Sequence, residues 1–187
     1  MRIDQLEKQY EIEVKWIAFP LHPDTPEEGL TLKELFAGRA VDIPIIQQRL
    51  KQVAKSLGLP LSDRTKTYNS RRAQELAKWA ESEGKGDKFH DAVFKAYFVE
   101  TKNIARMDEL VSLAASVGLP ESEARHVIKT RPFREAVDAD WEKSRLLGIT
   151  AVPTFVIGEQ RITGFQPYEI LENFLNSCGL KKRKRRL

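Results

Sequence analysis

The sequence predicts an α/β domain in which a small mixed sheet is interrupted by a long helical insertion. Three observations carry this. Ile12, Val14 and Trp16 alternate with Glu11, Glu13 and Lys15, the period of a strand with one apolar face. Thr154-Phe-Val-Ile157 and Arg161-Ile-Thr163 flank the turn Gly158-Glu-Gln160 and read as a β-hairpin. Between about residues 30 and 147 the apolar positions follow the period of amphipathic helices.

Each element has its own signal. Ile3, Leu6 and Tyr10 recur at helical spacing, so the chain opens in a short helix. The strand over 12–19 ends near Pro20, and the turn-rich segment His22–Gly29 breaks the pattern. Helical stripes follow at Ile46, Leu50, Val53, Ala54 and Leu57, then at Ala73, Leu76, Ala77 and Ala80. Phe89, Val93, Ala96 and Tyr97 form a third, and Leu110, Leu113, Ala114 and Val117 a fourth. A short helix near 121–129 precedes a longer one marked by Phe133, Ala136, Val137 and Trp141. Gln166-Pro167 opens a last helix, with Pro tolerated in the first turn and Ile170, Phe174 and Cys178 on one face. Trp16, Trp79 and Trp141 fall at apolar-face positions and are expected in the core.

Four helix ends share a device. Gly58-Leu59, Gly118-Leu119, Gly148-Ile149 and Gly179-Leu180 each follow an apolar-periodic run. Glycine takes the left-handed conformation that ends a helix, and the next apolar residue packs back on the last turn. The resulting order is helix, strand, helices, hairpin, helix. Such a sheet is one strand short, because the opening helix needs a strand before it to complete a βαβ unit with 12–19.

Composition narrows the function. A chain of 187 residues with 41% apolar content can bury an ordinary core without disulfide staples. Its single cysteine, Cys178, forms no internal disulfide and points to a reducing compartment. The N-terminus lacks an apolar signal region and no stretch is long and apolar enough for a membrane span, so the location expected is cytoplasmic. The net charge of +4 is set by the run Lys181–Arg186, whose six cations leave −2 for the rest. That tail reads either as a contact for nucleic acid or an acidic surface, or as a disordered, solubilising end. No basic groove with interleaved aromatics accompanies it, which argues against nucleic acid. His22, His90 and His126 lack metal-ligand spacing, so no metal site is expected. Gly84-Lys-Gly86 lacks the Walker spacing, and there is no Gly-x-Ser-x-Gly elbow.

Several segments, in order, resemble one family. Trp16-Ile-Ala-Phe-Pro-Leu-His-Pro-Asp24, Asn69-Ser-Arg-Arg-Ala73, Gly148-Ile-Thr-Ala-Val-Pro-Thr-Phe-Val-Ile157 and Gly164-Phe-Gln-Pro-Tyr168 resemble the DsbA family of thioredoxin-like oxidoreductases, in particular its FrnE-like branch. The resemblance covers nearly the whole chain. It implies a thioredoxin-like fold with an all-helical insertion domain and with the first strand of the sheet missing. The implied division is a discontinuous thioredoxin-like domain at 1–40 and 137–187, with the helical insertion at 41–136. It also implies thiol–disulfide exchange on a protein or small-molecule substrate, without a cofactor.

One departure decides the expected chemistry. Family members carry Cys-x-x-Cys at the N-terminus of the first helix, where the dipole favours a thiolate and the second cysteine resolves the mixed disulfide. This chain starts inside that helix, so no catalytic residue transfers to it, and the expectation is a fragment or a misplaced start codon. Cys178, on an apolar helix face, reads as a packed small hydrophobe.

The resemblance implies a substrate-binding loop at Val152, Pro153 and Thr154. Pro153 there is either cis or an ordinary trans proline opening a strand. His22 is either a substrate contact on the active face or a turn residue. Asn69 is either a helix N-cap or a ligand-facing group. Two alternatives remain beside an oxidoreductase domain inactive in this form. One is a relative of glutathione-dependent isomerases or kappa-type transferases, which resemble the same fold but use a serine at the first cysteine's place. The other is a redox-dead peptide-binding module.

Overall fold

The computed structural model describes residues 2–183. In chain order the elements are α1 (Arg2–Gln9), β1 (Leu30–Thr31), α2 (Leu32–Leu35), α3 (Ile43–Ser56), β2 (Lys66–Thr67), α4 (Arg71–Ser82), α5 (Gly86–Phe98), α6 (Met107–Ser116), α7 (Glu121–Thr130), α8 (Arg134–Leu146), β3 (Thr154–Ile157), β4 (Gln160–Thr163) and α9 (Tyr168–Ser177). The chain divides into two compact units, Met1–Leu21 with Asp140–Leu187, and His22–Ala139. Residues 22–40 and 137–139 thus fall in the helical unit, although the sequence boundaries give them to the other. The reason is local: β1 pairs antiparallel with β2, Leu30 opposite Thr67, and Asn69 bonds the carbonyls of Pro23 and Thr25.

In the first unit, β3 and β4 form a hairpin with Thr154 opposite Thr163 and Ile157 opposite Gln160. Alternation sends Phe155 and Ile157 of β3, with Ile162 of β4, against a small core of Leu6, Tyr10, Leu171 and Leu175. The inward face of α9 is therefore Leu171 and Leu175. Sequence reading chose Ile170, Phe174 and Cys178, but Ile170 is 42% exposed. Both stripes are apolar at i, i+4, and the hairpin together with Leu6 and Tyr10 decides which is covered.

The expected strand over 12–19 is not formed among the described residues. Its apolar alternation is present, but no neighbouring strand supplies a ladder. Trp16 is accordingly 38% exposed rather than core, whereas Trp79 is buried and Trp141 half-buried. The Ala18 N–H donates to Asp140 Oδ2 at 2.8 Å and ties this segment to α8.

The start of the basic tail belongs to the fold. The Glu11 N–H donates to the Lys181 carbonyl (3.0 Å) and the Arg183 N–H to the Gln9 carbonyl (2.7 Å), around an antiparallel bridge of Tyr10 with Lys182. Arg183 Nε donates to the carbonyls of Tyr10 and Glu7 at the end of α1, where a cation complements the helix dipole. Lys182 pairs with Glu172 at 2.7 Å. For Lys181–Arg183 this replaces the picture of a disordered end. Lys184, Arg185 and Arg186 lie outside the described residues.

In the second unit, α4, α5, α6 and α7 enclose the larger core, around Leu76, Trp79, Phe89, Leu110 and Val111. Residues 30–67 are less purely helical than the periodicity suggests, because β1 and β2 interrupt them. Thr31 then starts α2 with a reciprocal capping box to Glu34. The expected helix-ending device holds at all four glycines. At α6, for example, the Leu119 N–H reaches back to the Ala114 carbonyl (3.0 Å) and the Gly118 N–H to that of Ala115.

Candidate functional site

The loop from Ala151 to Thr154 joins the end of α8 to β3. The Val152–Pro153 peptide bond is cis. Three bonds pin the loop. Thr154 Oγ1 lies 2.7 Å from the Ala151 carbonyl, to which it donates, and 3.1 Å from Thr163 Oγ1. The Gly164 N–H donates to the Pro153 carbonyl at 2.7 Å. Val152 is left projecting, 44% exposed, and among the described residues no hydrogen bond engages its N–H or its carbonyl. Continuing the loop, β3 pairs with β4 along one edge and with no strand along the other, among the described residues. A pinned turn with open backbone groups, running into an open strand edge, can take up an extended peptide by main-chain hydrogen bonds.

Cys178 stands at the C-terminal end of α9, half-buried, with Sγ 3.4 Å from Gln160 Oε1. As the sequence's only cysteine it has no second thiol in the chain to resolve a mixed disulfide.

His22 and Asn69 lie in the second unit, whereas Val152, Pro153 and Thr154 lie in the first. Asn69 Nδ2 donates to the carbonyls of Pro23 (3.1 Å) and Thr25 (2.7 Å), and its Oδ1 accepts from the Arg71 N–H (2.9 Å) at the start of α4. Its amide therefore braces the loop after His22 against α4, with both polar atoms engaged. The His22 carbonyl accepts from the N–H and hydroxyl of Thr25. Partial burial, helped by the positive charges of Arg39 and Arg64, lowers the pKa of the His22 imidazole below its ordinary value.

Two polar arrangements escaped the sequence reading. Buried Glu75 on α4 receives hydrogen bonds from Arg71 and Arg131, and Arg71 also pairs with Asp138 at 2.7 Å. The Arg71–Glu75 spacing of i, i+4 is visible in the sequence, but the approach of Arg131 is not. Near β2, the Arg64 guanidinium lies over the Tyr97 ring, 4.7 Å from its centroid, and Tyr97 Oη is 3.0 Å from Thr67 Oγ1. Among the described residues no group of three or more His, Cys, Asp or Glu is placed to hold a metal ion. No described helix is long and apolar enough to cross a membrane.

The sequence model of the DSBA-like thioredoxin domain matches residues 1–176. The chain belongs to this family. Its sequence is 29% identical over 185 residues to YwbO, an uncharacterized protein of Bacillus subtilis (strain 168), across 94% of this chain and 86% of that protein. Its fold is similar to that of a probable DsbA oxidoreductase from Streptomyces coelicolor, with a TM-score of 0.85, 24% identity, and coverage of 95% of this chain and 82% of the other. It is also similar to a 2-hydroxychromene-2-carboxylate isomerase, with a TM-score of 0.73, 20% identity, and coverage of 95% and 85%. In this DSBA-like chain the family's Cys-x-x-Cys pair is absent from the sequence.

Proposed function

We propose that this chain is a DsbA-type thiol–disulfide oxidoreductase domain of the FrnE-like branch, inactive in thiol exchange as the sequence stands because the redox cysteine pair is absent. The observation that carries the reading is Val152. Its backbone groups stand open beside Pro153, at the head of a strand with one open edge. An extended peptide would bond the Val152 N–H and carbonyl and continue along β3, with Thr154 holding the loop in shape. Exchange itself needs one thiolate to attack a disulfide and a second thiol to release the product. Cys178 offers only one sulfur, engaged with Gln160. The compartment that suits this reading is the reducing cytoplasm. His22, on the loop preceding Thr25, remains a candidate substrate contact, while Asn69 supports that loop.

The test pairs binding with turnover. A labelled extended peptide should bind the chain with the same affinity in reductant and oxidant, while insulin reduction by dithiothreitol should proceed at the uncatalysed rate. Thiol-exchange turnover that disappears in Cys178→Ser would overturn the inactive reading. Sequencing the DNA immediately upstream of the Met1 codon then separates the family's two chemistries. An in-frame Cys-x-x-Cys favours the oxidoreductase. A lone serine at the first cysteine's place favours the glutathione-dependent isomerase and transferase relatives, the second reading that the isomerase-like fold supports. An in-frame stop with neither favours a redox-dead peptide binder.

A further inference from the structure

Around β2 the chain forms a small polar hollow against the end of α5. Its volume is about 120 Å³, and Arg64, Lys66, Tyr68, Tyr97 and Thr101 wall it. The backbone of the wall is held from outside. Gln47 Nε2 donates to the Arg64 carbonyl at 2.6 Å, and the Leu32 N–H to the Thr65 carbonyl at 3.0 Å. Thr101 takes φ 54°, in the left-handed region that a β-branched residue rarely adopts. The Lys102 N–H, bonded to the Ala96 carbonyl at 2.8 Å, holds that turn.

Two cations meet here without a carboxylate of their own. The Arg64 guanidinium lies over the Tyr97 ring and donates through Nη1 to Tyr97 Oη, itself 3.0 Å from Thr67 Oγ1. These contacts orient a half-buried guanidinium and leave its other N–H groups with no acceptor among the described residues. Among the same residues Lys66 makes no ion pair and the Tyr68 hydroxyl no hydrogen bond. The carboxylate on the rim, Asp63, is paired with Lys51 at 2.5 Å. The Arg64 charge reaches beyond the hollow, since with Arg39 it helps hold the His22 pKa below its ordinary value.

Donor type and charge identify the ligand. A guanidinium fork, a flexible ammonium and a phenol hydroxyl all donate, and the fork matches two oxygens of a carboxylate or a phosphate. The hollow has room for one such head group, with the rest of the molecule outside it.

We propose that Arg64, Lys66 and Tyr68 form a binding site for a small molecule bearing a carboxylate or phosphate group. Arg64 takes two of its oxygens, Lys66 neutralises it from the exposed side, and the Tyr68 hydroxyl donates to it. Tyr97 positions the guanidinium. The site uses residues of the helical unit alone and holds whether or not the chain exchanges thiols.

The test is a titration of the isotope-labelled full chain followed by backbone amide NMR. One arm uses inorganic phosphate and the other succinate, at constant ionic strength with chloride as the control anion. Saturable shifts centred on residues 63–68 and 97–102 are expected in at least one arm. Saturation by phosphate alone assigns the head group to a phosphate ester, by succinate alone to a carboxylate, and by both to either oxyanion, and each supports the site. Lys66→Gln, at an exposed position, should leave the fold intact and weaken binding about tenfold, the loss of one charge-assisted contact. Arg64→Gln should weaken it at least as much. Arg64→Lys keeps the charge but loses the planar fork, so it should bind better than Arg64→Gln and worse than the unaltered chain. No saturable shift in either arm, shifts centred elsewhere, or affinity unchanged in Lys66→Gln would overturn the proposal. An equal response to chloride would also overturn it, because it would report general screening.

Discussion

Glu75 and Arg131 meet as a two-pronged ion pair, Nε to Oε2 at 3.0 Å and Nη2 to Oε1 at 2.7 Å, although they are 56 residues apart in sequence. Glu75 is 3% exposed in the wall of α4, and Arg131 ends α7 in a left-handed conformation with φ 54°. Arg71 completes the set, bonding Glu75 Oε1 at 2.6 Å and the Arg134 carbonyl at 2.8 Å. One buried carboxylate thus ties together α4, the end of α7 and the start of α8.

Removing Arg131 strips the buried Glu75 carboxylate of its fork and leaves it, among the described residues, only the single Arg71 bond. Arg131→Ala should lower unfolding stability by about 3 kcal/mol in urea melts, much of it the cost of leaving Glu75 without its fork. Arg131→Lys should recover only part, since an ammonium cannot reproduce two parallel bonds. A loss below about 0.5 kcal/mol, typical of an exposed pair, would mean that the contact is not formed as described.

The C-terminal clasp predicts a sharp boundary for truncation. A chain ending after Arg183 keeps the bonds to Gln9, Glu11 and the end of α1, whereas one ending after Leu180 loses them with the Lys182–Glu172 pair. Two or three net hydrogen bonds are worth about 2–3 kcal/mol. Thermal melts should show the first truncation near the full chain and the second clearly below it. Equal melting temperatures would remove the clasp from the account of stability.

Gly29 sits where no side chain fits. Its φ is +80°, and a Cβ there would lie 2.5 Å from both the Thr67 carbonyl oxygen and Tyr68 Cδ1. Gly29→Ala should separate β1 from β2 and cost about 1–3 kcal/mol from the backbone conformation alone, before the clash. Gly38→Ala is the control, since its φ is similar but nothing lies within 4 Å of the added atom. The two variants should differ in stability by the cost of the clash.

What the sequence disclosed was local. The hairpin at 154–163, the helix-ending glycines and the stripes of α4 to α7 are written in neighbouring residues, and the structure forms them. Pairing across the chain is not written that way. The alternation of Ile12, Val14 and Trp16 names a face but no partner, and the two-residue ladder of Leu30–Thr31 with Lys66–Thr67 is too short to leave a period. At the candidate site, Val152, Pro153 and Thr154 are proposed only through their resemblance to a family segment. Asn69 showed its capping chemistry but not the loop it braces, because Pro23 and Thr25 are more than 40 residues away in sequence. The Glu75 fork was hidden for the same reason. Arg131 lies beyond α6 and α7, and only the packed helical unit brings it to α4.

Acid should destabilise the helical unit in two separable steps. Burial lowers the pKa of His90, against the opposing pull of Glu81 (3.7 Å) and Asp87, with Lys78 acting in the same direction as burial. The Phe94 ring lies tilted beside it, centroids 6.0 Å apart. Below about pH 6.5 the unfolded chain takes up a proton on this histidine that the folded chain resists, so stability falls as pH drops through that region. Glu75 acts lower down. Burial opposes its ionisation, but hydrogen bonds from Arg131 and Arg71 outweigh it and hold the carboxyl below its ordinary value. Its contribution is complete above the unfolded carboxylate value, about pH 4.5, and is lost as pH falls through the lower folded value. Urea midpoints measured from pH 8 to pH 3 should therefore decline first near pH 6 and again below pH 4.5. His90→Gln should flatten the first decline and leave the second, whereas Glu75→Gln should start less stable at pH 7 and make the second shallower, the remainder belonging to carboxylates also held below their ordinary values, such as Asp138 beside Arg71. A first decline that survives in His90→Gln would assign the upper step to another group, with His22 the next to test, since its pKa is lowered in the same direction.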